Sequence, residues 1–427
     1  MSATPVLSKL VGAISERPDW FVWLLPVAVF FSRIFTAATP YYSDGWRHLR
    51  AISDRTYIIQ PPGYWLFNRL GGFFPSGELG LSVINWICSS LGVAVFYLCA
   101  QRVLSIRTVA RWATGVYAFT FYVWFTGSVH STYATQLLFP IFTYYLLLRA
   151  QEEHQSRYLY WATVTLAIGA GLRPSDGVFM TPLFFWRLFQ WPSRREAALA
   201  IVLAVVVCCG WLVPTMVAFS NVANTPTAPL IGTNHVSNTL TQRSILFHGI
   251  NREAVANVVR FISPLAFAFW AIILAMIFSR GPLWERSELD LWLWVIPGFL
   301  FFAFFYFGEA GYLNYCTGGV VLLGFLHMKN LKPRLQAVAS IMCIAFNIGF
   351  FTFYTPITSR SLFVDVVNMY AGRYTLFNLR YAIDVMLKDV VMDPSLVQPK
   401  TKFPGGRWSY IWHWKFFGNH PNAVGDR

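Results

Sequence analysis

YYSDGWRHLRAISDRTYIIQPPGYWLFNRLGG, residues 41–72, places Asp44, Arg47, His48, Arg50, Asp54, Arg55 and then the Pro61-Pro62 pair between two strongly apolar segments. What this stretch is depends on what flanks it. Of the 427 residues 56% are hydrophobic and only 12% charged, with 39 Phe, 20 Tyr and 18 Trp, far more apolar than a chain that must solvate its own surface. The apolar residues come in blocks of about 20, the length that crosses a hydrocarbon core of about 30 Å as an α-helix. Lipid offers no partner to unpaired backbone groups, so the spans are expected to be helical. The fold class that follows is all-α: a polytopic transmembrane helical bundle, with 41–72 as an interfacial helical loop on one side of it.

About eleven spans are expected, near 20–38, 80–101, 111–128, 132–149, 159–173, 177–191, 197–219, 258–279, 290–307, 313–328 and 335–354. The fifth and sixth are the weakest, because Arg173, Pro174 and Asp176 separate two short apolar runs and suggest a broken or re-entrant pair. Cations recur in alternate short loops: Arg102, Arg107 and Arg111; Arg149 and Arg157; Arg187, Arg194 and Arg195; Arg280 and Arg286; Lys329, Lys332 and Arg334. The positive-inside rule makes that face cytoplasmic and puts 39–79, 220–257 and 355–427 outside, where long segments are exempt from the rule. Residues 1–354 are then the membrane region and 355–427 an extracytoplasmic tail with amphipathic helices. The first apolar segment reads as an anchor that stays, since it is of spanning length and lacks a small-residue cleavage site.

All six cysteines fall within or at the ends of apolar blocks, without CxxC spacing, which fits buried thiols and neither a disulfide framework nor a metal cluster. No Asn-x-Ser/Thr sequon occurs in the outer segments, which favours a bacterial plasma membrane over a secretory one. The net charge of +14 is concentrated at the membrane boundaries and points to anionic headgroups and lipid phosphates. Nucleic acid is excluded as a partner, because no soluble basic domain is present to hold it.

Within the first outer loop, Asp44 lies a few residues beyond the first span, at the depth where a membrane-bound substrate and an aqueous one meet. A short helix there puts Asp44 and His48 on one face, and the double proline halts it and aims a new one. A surface helix whose Asp and Arg residues merely pair would share this pattern. The pattern of Asp44, the Gln60-Pro61-Pro62-Gly63-Tyr64 turn and Asn85 in the second span resembles the GT-C superfamily of integral-membrane glycosyltransferases, most of all its bacterial O-mannosyltransferase-like group. The likeness extends more loosely through GSVHSTYATQLLFPIFTYYLLLRA and AIGAGLRPSD, and so over about the first 190 residues.

That resemblance implies a sugar donor on a polyprenyl phosphate, an inverting transfer on the extracytoplasmic face to a glycan, lipid or protein acceptor, and no cofactor. It assigns Asp44 as the general base, with Asp54 as the second loop carboxylate. Chemically the assignment is coherent, since a carboxylate can deprotonate an acceptor alcohol while cations neutralise the departing phosphate.

Arg47, His48, Asp54, Gln60 and Tyr64 are the substrate-binding candidates of this loop. Arg173 and Asp176 interrupt an apolar region, where a guanidinium offers a lipid phosphate two directed donors or pairs with its own neighbour. His130 and Tyr133 follow at the outer end of the third span. Glu309 and Tyr312, in FGEAGYLNY, suit sugar hydroxyls but depart from the Arg-Tyr element common in related enzymes. In the 220–257 loop His235 and His248 are too far apart for a metal pair, and the outer loops hold no Asp-x-Asp, so a divalent ion is not expected. Two rival functions remain: a flippase or transporter of lipid-linked sugars, against which no internal repeat is visible, and a surface-polysaccharide polymerase or ligase, for which the 220–257 loop argues.

Overall fold

A computed structural model of the chain describes residues 19–35, 42–59, 63–128, 130–223, 245, 249–250, 252–279, 288–305 and 310–353. Every regular element among them is helical. The expected outer loop 220–257 lies mostly outside the described residues, and the tail 355–427 wholly so.

In chain order the helices are α1 (Phe21–Phe35), α2 (Tyr42–Ser53), α3 (Trp65–Gly71), α4 (Gly77–Leu104), α5 (Arg107–Phe119), α6 (Phe121–Ser128) and a 3-10 turn (Thr132–Leu137). They continue as α7 (Phe139–Glu153), α8 (Ser156–Leu172), α9 (Pro174–Phe189), α10 (Arg194–Ala223), α11 (Arg252–Ser279) and α12 (Leu289–Leu300), the last running into a π-helical turn (Phe301–Phe305). A 3-10 turn (Ala310–Leu313) then leads into α13 (Asn314–His327), and α14 (Pro333–Phe353) follows.

Local chemistry sets several boundaries. Ser76 caps α4, its hydroxyl accepting from Leu79 N–H at 3.2 Å, and Glu78 stands in the first turn, where a carboxylate complements the helix dipole. Thr120, non-helical with φ of −56° and ψ of 125°, divides α5 from α6 within what reads as one span. Pro174 cannot continue α8 and also bars Arg173 from helical geometry, so α8 stops at Leu172 and α9 starts on the proline itself.

Helix α4 is the hub. It packs on α1, α3, α5, α6, α7 and the Thr132–Leu137 turn and is buried over most of its surface, leaving an exposed stripe at Ile87 and Leu91. Helix α10 is its opposite: it touches α8 and α3 but leaves Val202, Val206, Val213 and Met216 exposed. Those two, over Gly77–Leu104 and Arg194–Asn221, are long and apolar enough to cross a hydrocarbon core.

Helix ends gather at two poles. At one, the Asp19 carboxylate accepts hydrogen bonds from Tyr97 and from Arg111, the latter at 2.8 Å, with Arg107 at 3.7 Å. Arg102 bonds Glu152, Arg149 bonds Glu153 at 2.7 Å, and Arg187 pairs with Asp290. The other pole collects α2, α3, the ends of α6 and α8, the starts of α7, α9 and α13, and with them the described polar candidates of the sequence.

Candidate active site

The Pro174 break delivers Arg173 to this second pole as an extended residue between two helices. Its side chain is 3% exposed. One terminal nitrogen donates to Thr132 Oγ1, and the guanidinium lies 4.1 Å from the Tyr133 ring centroid, 5.1 Å from Tyr312 and 6.0 Å from Tyr64. Each ring face attracts the cation electrostatically, by about 1–2 kcal/mol where water is excluded. None of the three supplies a countercharge, and Nε has no partner. Asp176, one turn further on and 2% exposed, accepts from Gln136 Nε2 and from Ser175 through Oδ1, while Oδ2 has no partner. Among the described residues no ion pair joins Arg173 to Asp176.

Three separate pieces of chain hold the three rings. Tyr133 opens the Thr132–Leu137 turn, which is capped by Ser131 Oγ accepting from Tyr133 N–H at 3.0 Å. Tyr312 stacks on Phe302 with centroids 4.2 Å apart, and Gly311 beside it lies flat on the Tyr133 ring, where a Cβ would come within 2.7 Å. Asn314 fixes this corner by donating to Thr126 Oγ1 at 2.8 Å and to Tyr133 O at 3.2 Å. Tyr64 has φ of 53°, left-handed for a bulky residue, and the preceding Gly63 has φ of 102° with Phe219 of α10 only 2.7 Å from where a Cβ would be. Such strained backbone persists only where surrounding contacts over-determine it.

On the far side of Tyr64 stands His48. It is 2% exposed, its Nδ1 lies 2.6 Å from Asn68 Oδ1, and its ring meets Tyr64 and Phe67 edge-on at 5.6 and 5.1 Å. Asn68 in turn donates Nδ2 to Tyr57 O at 3.0 Å. His130, 1% exposed, pairs its Nε2 with Ser82 Oγ of α4 at 2.6 Å.

The expected helix of the first outer loop is present as α2. Asp44 stands in its first turn, one turn before His48. The structure therefore brings His48, Tyr64, His130, Arg173, Asp176 and Tyr312 to one pole. It leaves others aside: Arg47 is exposed, and Asp54 makes a surface ion pair with Arg50 at 3.3 Å, both half-exposed or more. Gln60 and Glu309 lie outside the described residues. Among the described residues, no group of three or more His, Cys, Asp or Glu is placed to hold a metal ion.

Sequence reasoning missed Asn68, Thr132 and Gln136, and also Arg33. The last is fully buried under α4, donating to Ser89 Oγ at 3.2 Å and Ala118 O at 2.8 Å, with its guanidinium 5.0 Å from the Trp124 ring. A lone arginine inside the apolar run VFFSRIF was the available signal. Beside the Gly63–Tyr64 turn a cavity of about 410 Å³ opens between Arg55, Tyr57 and Trp65 on one wall and Pro214, Val217 and Asn221 of α10 on the other.

A family model described as dolichyl-phosphate-mannose-protein mannosyltransferase matches residues 60–213, from the double proline through Arg173 and into α10. Two solved structures of ArnT from Cupriavidus metallidurans share the fold at 15% identity. The one bound to undecaprenyl phosphate has a TM-score of 0.54 and covers 75% of this chain and 61% of its own. The apo structure gives 0.50, with 78% and 62% covered. This chain thus spans less than two thirds of the length of those proteins. No curated protein matches it by sequence.

Proposed function

We propose that the chain is a member of the GT-C superfamily and an inverting glycosyltransferase, moving a sugar from a polyprenyl-phosphate donor to an acceptor at the membrane surface; the family match over residues 60–213 and the fold shared with ArnT support this reading. The observation that carries the reading is Arg173: a cation buried among tyrosine faces, with Nε left over and, among the described residues, no carboxylate in an ion pair with it. Burying such a charge costs several kcal/mol unless an anion completes it, and a lipid-linked phosphate is the anion a membrane supplies. The family match covers this residue, and one of the fold relatives was crystallised with undecaprenyl phosphate.

In this reading Asp44 takes the proton of the acceptor hydroxyl. The oxygen attacks the anomeric carbon, the carbon–oxygen bond to phosphate breaks on the opposite face, and the electron pair leaves on the phosphate, where Arg173 neutralises it. Asp176 orients sugar hydroxyls, and the cavity between Trp65 and α10 is the acceptor's approach. The protein is a multi-pass component of a bacterial plasma membrane, with residues 1–354 as its catalytic region and 355–427 as an outer tail. The cations of the short loops at the opposite pole support an extracytoplasmic site.

The test is transfer from radiolabelled polyprenyl-phosphate sugars in the presence of membrane extract. Asp44→Asn is expected to abolish transfer while binding donor normally, and turnover by this variant removes Asp44 as the base. Arg173→Ala is expected to weaken donor binding about 10- to 100-fold, the worth of hydrogen bonds to a charged group. Unchanged affinity would return Arg173 to a purely structural role.

A further inference from the structure

We propose that Gln136 and Asp176 select the transferred sugar by the hydroxyl beside its anomeric carbon, so that the site admits sugars that carry a hydrogen-bond donor there; the proposal rests on the transferase reading above. Its basis is the pattern of polar atoms left over around the Arg173 cage. A carboxylate oxygen only accepts hydrogen bonds, so the Gln136 atom that meets Asp176 Oδ1 must be the amide nitrogen. Gln136 Oε1 then joins Asp176 Oδ2 as a second acceptor, and among the described residues neither oxygen has a partner. Asn314 adds a third: its amide nitrogen serves Thr126 Oγ1 and Tyr133 O, and its Oδ1 is left over. Against these acceptors stands one unmet donor of the cage, Arg173 Nε. A glycosyl phosphate is the complement, because its phosphate accepts while its hydroxyls can donate.

Spacing along the chain assigns the hydroxyl. One piece of backbone, the Thr132–Leu137 turn, holds both halves of the site: Thr132 Oγ1 accepts from Arg173, and Gln136 donates to Asp176. Asp176 N–H in turn donates to Arg173 O at 3.0 Å, so the two charged side chains leave a single tight turn. A phosphate on Arg173 is joined through one oxygen to the anomeric carbon, and the hydroxyl nearest to it stands on the next carbon of the ring. That O–H donates to Asp176 Oδ2, and the hydroxyl after it donates to Gln136 Oε1.

The pair is held firmly. Asp176 is fastened through Oδ1 by Gln136 and by Ser175 Oγ at 3.3 Å, which leaves Oδ2 as the oxygen on offer. Gln136 and Asn314 are fully buried, and the turn that bears Gln136 packs against α4, α6, α7 and α13. A buried acceptor without a partner is penalised, and the O–H of a ligand removes the penalty. A sugar with no donor at that position restores it, which is how a site built around a hydroxyl rejects an analogue lacking one.

Competition binding on the full-length protein in detergent tests this without reference to turnover. The parent probes are polyprenyl-phosphate mannose and polyprenyl-phosphate glucose, which differ only in the side of the ring that carries this hydroxyl. The tighter of the two is compared with forms that lack the hydroxyl or carry fluorine in its place, since fluorine keeps the size but cannot donate. Wild type should bind both altered sugars about 10- to 100-fold more weakly than the parent. Asp176→Asn puts an NH2 group where Oδ2 stood, and a donor there meets hydroxyl and fluorine alike, so the gap should shrink to within about threefold. Gln136→Leu, which unfastens Asp176, should narrow it in the same sense. Unchanged affinity of each variant for polyprenyl phosphate without a sugar shows that it has folded. Altered sugars that bind wild type as the parent does, or a gap that persists in Asp176→Asn, overturn the proposal, while transfer from the parent sugar keeps the transferase reading standing. A wild-type protein that binds no polyprenyl-phosphate sugar overturns both.

Discussion

At the residue scale, Arg173 carries its charge against three aromatic faces, which is a task for a flat cation. A guanidinium stacks on a ring and still presents nitrogens at its edge, whereas an ammonium is a point charge. Arg173→Lys should therefore keep the fold but bind the polyprenyl-phosphate donor about tenfold more weakly, measurable by equilibrium binding; equal affinity would mean that charge alone matters. Arg173 was legible in the sequence because it breaks an apolar run beside a proline. Asp44 stays a proposal, raised by its place just beyond a span. Arg33 and Asn68 were not legible. The groups that satisfy Arg33 lie 56 and 85 positions away, and Asn68 is given meaning by His48, 20 positions before it. Such partners exist only after packing, and no local pattern announces them. Asp54, equally acidic on paper, pairs with Arg50 on a solvated helix end.

At the element scale, Gly63 and Tyr64 lead the chain into α3, which packs on α4, α8 and α10. Gly63 permits this: its φ of 102° suits glycine, and a Cβ would press on Phe219. Gly63→Ala should destabilise the protein by about 1–3 kcal/mol, seen as a lower melting temperature in detergent, and should lower activity by displacing Tyr64. An unchanged melt would show that the turn relaxes freely. Proline and serine boundaries such as Pro174 and Ser76 could be read in advance, because they act through their own backbone. The break at Thr120 and the 3-10 turn at Thr132–Leu137 could not. Both fall inside apolar stretches that read as continuous spans, and both depend on polar contacts made across the fold, such as Tyr117 Oη donating to Leu137 O at 2.9 Å.

At the scale of the whole molecule, the helical architecture of the described residues follows from the apolar composition, because lipid offers unpaired backbone groups no partner. The Asp19 cluster fastens the start of α1 to α4 and α5 at one pole. Burial works to raise the Asp19 carboxyl, but hydrogen bonds from Tyr97 and Arg111 outweigh it and hold the group below the usual carboxylate range. A depressed folded-state value gives stability that is present above the unfolded value and is lost as pH falls through the folded one. Asp19→Asn should thus lower the melting temperature at neutral pH, and the gap from wild type should close in acid. A gap independent of pH would assign the effect to packing. The tyrosine cage has one more consequence, for turnover. Under the proposed function, an incoming lipid phosphate meets an Arg173 that, among the described residues, is held in no ion pair, and the spent carrier bears the same phosphate. The used lipid should then compete with fresh donor, seen as inhibition of transfer by added polyprenyl phosphate; transfer indifferent to that addition would show that the spent carrier is not retained.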